Sequence, residues 1–146
     1  MAASNKSCSK ILTPQALEAI YADKDKLALY QTYTTYQLEI DVNKAVTLSV
    51  GRLGCRTFPK GRYFYTGSAK RNLFPRLMRH LKKEKKLRWH IDYLLTRPEA
   101  CVKRVLLSQQ SECELNQNTR GEIFVSGFGA SDCKQRCGGH LKKYTT

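Results

Sequence analysis

Acidic residues are scarce in this 146-residue chain, where 12 Asp and Glu face 26 Lys and Arg for a formal net charge of +14. Such an imbalance argues against cationic partners and points toward polyanions, nucleic acid first and an anionic membrane surface second. Long apolar runs are missing as well. Asp, Glu and Lys interrupt the first thirty residues throughout, so neither a bilayer span nor a secretory signal can be drawn there. No repeat and no low-complexity segment is found, which excludes a solenoid or array. The expectation is a cytoplasmic protein with no membrane partner. Under that expectation the six cysteines (Cys8, Cys55, Cys101, Cys113, Cys133 and Cys137) are free, buried or metal-bound rather than bridged.

What is present suffices for one packed domain, with 41% apolar and 26% charged residues close to the globular average. Residues 1–30 read as an N-terminal arm and peripheral helix, and residues 31–146 as the main domain. Met1 to Lys10 is polar and reads as a loose arm. Thr13 and Pro14 suit an N-cap and first helical position, with Leu17, Ile20, Tyr21 and Leu27 at helical spacing. Between Thr32 and Val50 the apolar residues alternate on either side of Asp41 to Lys44, which predicts a β-hairpin. Gly51 and Gly54 allow another reversal, and the aromatic stretch from Gly61 to Gly67 reads as a third strand.

Asn72 is then expected to cap a helix that tolerates Pro75 in its first turn and carries Leu73, Leu77 and Leu81. Trp89 to Thr96 reads as a short helix, Val102 to Leu107 as a fourth strand and Glu112 to Asn118 as a further helix, with glycine-rich loop beyond. The resulting class is α/β (α+β), a small domain whose three- to four-stranded, mainly antiparallel sheet is flanked by helices.

The positive charge is local. From Lys60 to Arg88 eleven basic residues meet one acid, Glu84, and Lys70, Arg71, Arg79, Lys82 and Lys83 are the candidate nucleic-acid contacts. A lysine-rich run alone is often only a solvated face. Here the run flanks an aromatic strand and a glycine turn, and neutralising several phosphates with it would give salt-sensitive binding. Arg76 and His80, four residues apart, share one face of their helix. Breaking a phosphodiester needs a group to activate water, a cation for the phosphoryl oxygens and usually a carboxylate-held metal. Tyrosine, histidine, arginine and glutamate can supply these roles.

Four stretches stand in a recognisable order: Gly61-Arg-Tyr-Phe-Tyr-Thr-Gly-Ser-Ala69, Arg76-Leu-Met-Arg-His80, Trp89-His-Ile-Asp-Tyr-Leu94, and Gly127-Phe-Gly-Ala-Ser-Asp-Cys133 with His140-Leu141. On these the chain, from about Tyr36 to Tyr144, resembles the GIY-YIG nuclease superfamily and in particular its small stand-alone DUF123-like branch. The resemblance implies a three-stranded antiparallel sheet with one catalytic face and a DNA endonuclease of repair, restriction or mobile-element type. By the same resemblance Tyr65 matches the second-motif tyrosine, Arg76 the catalytic arginine, His80 and His90 supporting histidines, and Tyr36 the first-motif tyrosine. The metal-binding glutamate falls on Glu112 or Glu114, with Glu112 the better fit, and would hold Mg²⁺ or Mn²⁺.

The chain departs from that pattern at three points. Thr34 stands where the first motif has glycine, Thr66 replaces an isoleucine, and 28 residues separate Tyr36 from Tyr65, leaving Tyr33 and Tyr63 as alternatives to Tyr36. Two further readings stay open. One is a non-catalytic nucleic-acid-binding module of the same fold. The other is a redox or zinc-dependent regulator in which Cys113, Cys133, Cys137 and His140 bind zinc, against which the same segment reads as a structural glycine-rich loop. In so small a chain, substrate shape, a homodimer or another partner is expected to supply selectivity.

Overall fold

The computed structural model describes residues 9–125, 127–128 and 139–144. Its centre is strand β2 (Thr35–Val42), which pairs antiparallel with β5 (Gly61–Ser68) on one side and β6 (Ala100–Ser108) on the other. β1 (Ser9–Leu12) extends the sheet beyond β6, and β8 (Leu141–Lys143) and β7 (Glu122–Ile123) extend it beyond β5. The α+β class therefore holds. Among the described residues the sheet has six strands rather than three or four, because the edge strands β1 and β7 and the inner strand β8 are short segments whose apolar periodicity is too brief to read. Ser9 and Lys10, expected in a loose arm, belong to β1; residues 1–8 of that arm lie outside the described residues.

The expected hairpin between Tyr36–Ile40 and Val46–Val50 does not form. β3 (Val46–Ser49) pairs instead with β4 (Cys55–Phe58) as a separate two-stranded ribbon. The reason is hydrogen-bond capacity: β5 and β6 already satisfy both edges of β2, so Asp41 and Val42, expected in a turn, continue the strand and the chain leaves the sheet at Asn43 and Lys44. The reversal at Gly51 and Gly54 joins β3 to β4, and both glycines adopt the left-handed φ that a side chain would resist.

Helix α1 (Pro14–Tyr21) starts as its sequence dictates. The Thr13 hydroxyl accepts from the Ala16 N–H at 3.1 Å, and Leu17 and Ile20 face the core. Asp23 then caps a second helix, α2 (Lys24–Ala28), so Leu27 sits on a new axis rather than on an extension of α1. Helix α3 (Leu73–Leu81) buries Leu73, Phe74, Leu77 and His80. Asn72 precedes it in the left-handed region at φ +60° and makes no side-chain cap, contrary to expectation. Helices α4 (His90–Leu95) and α5 (Glu112–Asn118) fall where the sequence puts them.

The core between helices and sheet includes Leu38, Ile40, Leu77, Ile91, Leu94, Leu107 and Leu141, all fully buried. Each such side chain contributes ~1.5–3 kcal/mol relative to exposure. No helix among the described residues is long and apolar enough to cross a membrane.

Candidate active site

The pairing of β2 with β5 sets Tyr36 directly opposite Gly67. A Cβ on Gly67 would lie 2.5 Å from Tyr36 Oη, so the missing side chain is what lets the phenol lie across the strand. Tyr65, two residues before Gly67, shares that face of the sheet. Tyr36 Oη makes a 2.8 Å hydrogen bond with His80 Nε2, and the His80 ring also packs against Tyr65 and Trp89. One turn before His80, Arg76 donates to the Ser68 carbonyl at 2.5 Å, with its guanidinium 4.9 Å from the centre of the Trp89 ring and its charge acting on Tyr36.

Helix α5 supplies the carboxylate. Glu112 Oε1 accepts from the Ser68 hydroxyl at 2.6 Å, and Oε2 lies 2.5 Å from His140 Nδ1. Glu114 instead points to solvent and bonds with Ser111 at the start of α5. Tyr36, Tyr65, Arg76, His80 and Glu112 thus come together from β2, β5, α3 and α5.

Burial dominates the electrostatics of the two phenols. It pushes Tyr36 well above its ordinary value, only partly offset by Arg76, and it raises Tyr65 likewise, aided by Tyr36 and Glu112. Both are neutral at physiological pH. His80 is lowered to about 3 by burial, with Lys85, Arg79 and Arg76 adding to the effect against the opposing charge of Asp92, so it too is neutral. Burial works against the Glu112 charge, yet the bonds from His140 and Ser68 and the charge of Arg76 hold its carboxyl below the usual range. The pocket therefore holds an anionic carboxylate, a permanent cation and a neutral phenol–imidazole pair.

The remaining candidates divide by their partners. His90, at the start of α4, packs on Phe128, which in turn packs on Tyr65. Tyr63 shares the Tyr65 face, but its hydroxyl donates to the Pro59 carbonyl at 2.6 Å among Phe58 and Phe124. Tyr33 stacks beside Tyr30, away from His80. Of the basic residues, Lys70, Arg71 and Lys82 are exposed. Arg79 is committed inward, with two 3.0 Å bonds to the fully buried Asp92 and a third to the Lys86 carbonyl. Lys83 is turned onto the backbone after α4, where its ammonium bonds the Leu95, Arg97 and Ala100 carbonyls.

Two residues at the site, Ser68 and Trp89, were not assigned a role from sequence, and a third, His140, was read only as a candidate zinc ligand. Ser68 and His140 orient Glu112, and Trp89 stacks against the guanidinium groups of Arg76, Arg79 and Arg88. All three occur in the four stretches quoted above, which was the available signal. For the zinc reading, Cys133 and Cys137 lie outside the described residues, as do Gly129 and the rest of 129–138. Among the described residues no three His, Cys, Asp or Glu side chains are grouped to hold a metal.

Residues 35–146 match the family described as "Domain of unknown function DUF123". The match opens at the first residue of β2, so β1, α1 and α2 lie ahead of it. Comparison with curated proteins and with solved structures found no match. With most of its length covered by the family model, the chain belongs to the DUF123 family.

Proposed function

We propose that this member of the DUF123 family is a metal-dependent endonuclease that hydrolyses DNA phosphodiester bonds, with the site architecture of the GIY-YIG nucleases. One observation carries the reading: Tyr36, Arg76, His80 and Glu112 face one another around Gly67, next to exposed Lys70 and Arg71. A buried set containing a fixed cation, an anionic carboxylate and a phenol bonded to imidazole suits a reacting phosphate better than it suits a core.

Glu112 fits Mg²⁺ or Mn²⁺. Its carboxylate is anionic and only partly covered, two donors fix its orientation, and a single carboxylate completed by water and substrate phosphate is a common way to hold such ions. When bound, the ion supplies neutralisation of phosphoryl charge. Arg76, protonated at every relevant pH, stabilises the charge that builds on the phosphoryl oxygens. Tyr36 Oη takes a proton from the attacking water as its own proton passes to His80 Nε2. The water oxygen bonds to phosphorus while the P–O bond to the departing strand breaks, and the departing oxygen keeps that electron pair and takes a proton from solvent. The entering phosphate also offsets the charges of Lys85, Arg79 and Arg76 on His80, which raises the proton affinity of the imidazole when it is needed. Tyr65 and Trp89 hold His80 and Arg76 in place.

The test is a cleavage panel of plasmid, nicked, branched and single-stranded DNA with Mg²⁺ or Mn²⁺. Cutting that is lost in Arg76→Ala and in Glu112→Ala is the expected result. Undiminished cutting in both variants overturns the mechanism. Salt-sensitive binding with no cutting on any substrate replaces it with the non-catalytic binding module.

A further inference from the structure

Beyond Ser68 the chain leaves the site through Ala69, Lys70 and Arg71, and this same loop forms one lip of a second recess of about 350 Å³. The opposite wall comes from the segment ahead of β2: Tyr21 at the end of α1, then Tyr30 and Tyr33 after α2. Phe74 closes the floor. The Tyr30 ring lies 5.9 Å from Tyr33 and 5.8 Å from Phe74, while Tyr21 remains 43% exposed. Tyr30 and Tyr33 pack against the core yet stay only partly buried, so both keep ring surface at the recess beside Tyr21, and none of the lining residues is acidic.

Aromatic faces with cations at the lip form the arrangement by which proteins hold unpaired nucleotides, the rings stacking on a base and the cations meeting its phosphate. The position narrows the occupant further. Arg76 reaches the Ser68 carbonyl, and Lys70 and Arg71 follow Ser68 by two and three residues. A strand with its phosphate at Arg76 that follows this loop would meet the cations of the lip next.

We infer that the recess receives one unstacked base of the strand being cut, so that the favoured substrate carries an unpaired nucleotide, as in a flap, gap or single-stranded overhang, next to the scissile bond. A fully paired duplex cannot offer that base without paying to unstack it. The inference rests on the hydrolytic reading for the position of the strand, but its test does not depend on cutting. Tyr21, Tyr30 and Tyr33 precede the family-matched residues while Lys70, Arg71 and Phe74 fall within them, so this preference depends on the N-terminal segment seated against the α3 end of the matched domain.

The experiment uses the full chain in EDTA, with DNA bearing 2-aminopurine in a short overhang beside a duplex and with a blunt duplex as control. Binding to wild type and to Tyr33→Phe quenches the fluorescent base. In Tyr33→Ala the quenching is lost and overhang affinity falls about tenfold, while blunt-duplex affinity is unchanged. Tyr21→Ala, at a half-exposed ring, gives the same loss without risk to the core. Absence of quenching with wild type, or overhang affinity equal to wild type in both alanine variants, overturns the inference. Quenching in a protein that cuts nothing when Mg²⁺ is added keeps the recess and removes hydrolysis. Equal cutting of blunt and overhanging DNA without quenching keeps hydrolysis and removes the recess.

Discussion

Tyr36 Oη and His80 Nε2 lie 2.8 Å apart although their residues are 44 positions apart in the chain. The strand carrying one and the helix carrying the other meet because β2 and β5 are adjacent and α3 follows β5 by a short loop. Both groups are buried and neutral, and Arg76 supplies the adjacent charge. If that pair moves the proton, removing the Tyr36 oxygen costs the reaction more than it costs the fold. Tyr36→Phe is expected to lower the single-turnover cleavage rate by about 10²- to 10⁴-fold, and to lose about 1–3 kcal/mol of stability because buried His80 Nε2 is left without its partner. Tyr63→Phe is expected to lose about 1 kcal/mol of stability through its bond to Pro59 and to leave cleavage intact.

Gly67 tests the same geometry from the other strand. An added Cβ would meet the Tyr36 ring, and a buried phenol held by His80 has little room to withdraw. Gly67→Ala is expected to destabilise by about 1–3 kcal/mol, the usual cost of overpacking, measured by urea denaturation. Cleavage falls with it because Tyr36 is displaced.

Arg79 and Lys82 are three residues apart, yet they are expected to respond differently. Arg79 is bound to Asp92, which also accepts from the Arg88 and Trp89 N–H groups at 2.8 and 2.9 Å. Asp92→Ala leaves a partly buried guanidinium without its partner, and a loss of about 3–5 kcal/mol in thermal or chemical unfolding is expected. Lys82→Ala is expected to leave stability unchanged.

Salt dependence reads the exposed cations. Replacing Lys70, Arg71 or Lys82 by alanine is expected to reduce the slope of log K against log salt by about 1 for each phosphate contact removed. A binding isotherm series between low and moderate salt measures it, and an unchanged slope in all three variants removes these residues from the interface.

His80 links stability to pH. Folding lowers it from an ordinary value of 6.5 to about 3, so below pH 6.5 the unfolded chain binds a proton that the folded chain refuses. Its contribution is complete above about 6.5 and is lost as pH falls toward 3, at up to ~1.4 kcal/mol per pH unit. Urea midpoints collected from pH 7 to pH 4 are expected to fall with that slope in wild type and less steeply in His80→Gln.

Local signals explain which parts of the fold could be read in advance. Thr13 and Pro14 mark the start of α1, the aromatic run marks β5, and the Leu73, Leu77 and Leu81 spacing marks α3, because each is set by contacts within a few residues. The β3–β4 ribbon escaped because strand pairing is a competition. Thr32 to Val50 contains two good strands, but nothing within that stretch says that β2 is claimed by β5 and β6. The short strands β1, β7 and β8 were missed for a related reason, since two to four residues carry no usable period.

At the site, helical periodicity by itself aligned Arg76 with His80, while Tyr36, Tyr65 and Glu112, and the roles expected of all five residues, came from the resemblance of four stretches to the GIY-YIG pattern. Tertiary structure alone decided that Tyr36 rather than Tyr33 or Tyr63 meets His80, that Glu112 rather than Glu114 turns inward, and that Arg79 and Lys83 serve the fold. Those choices depend on strand register and on which donors lie across a buried gap, and such distances are set by the packing of segments far apart in the chain.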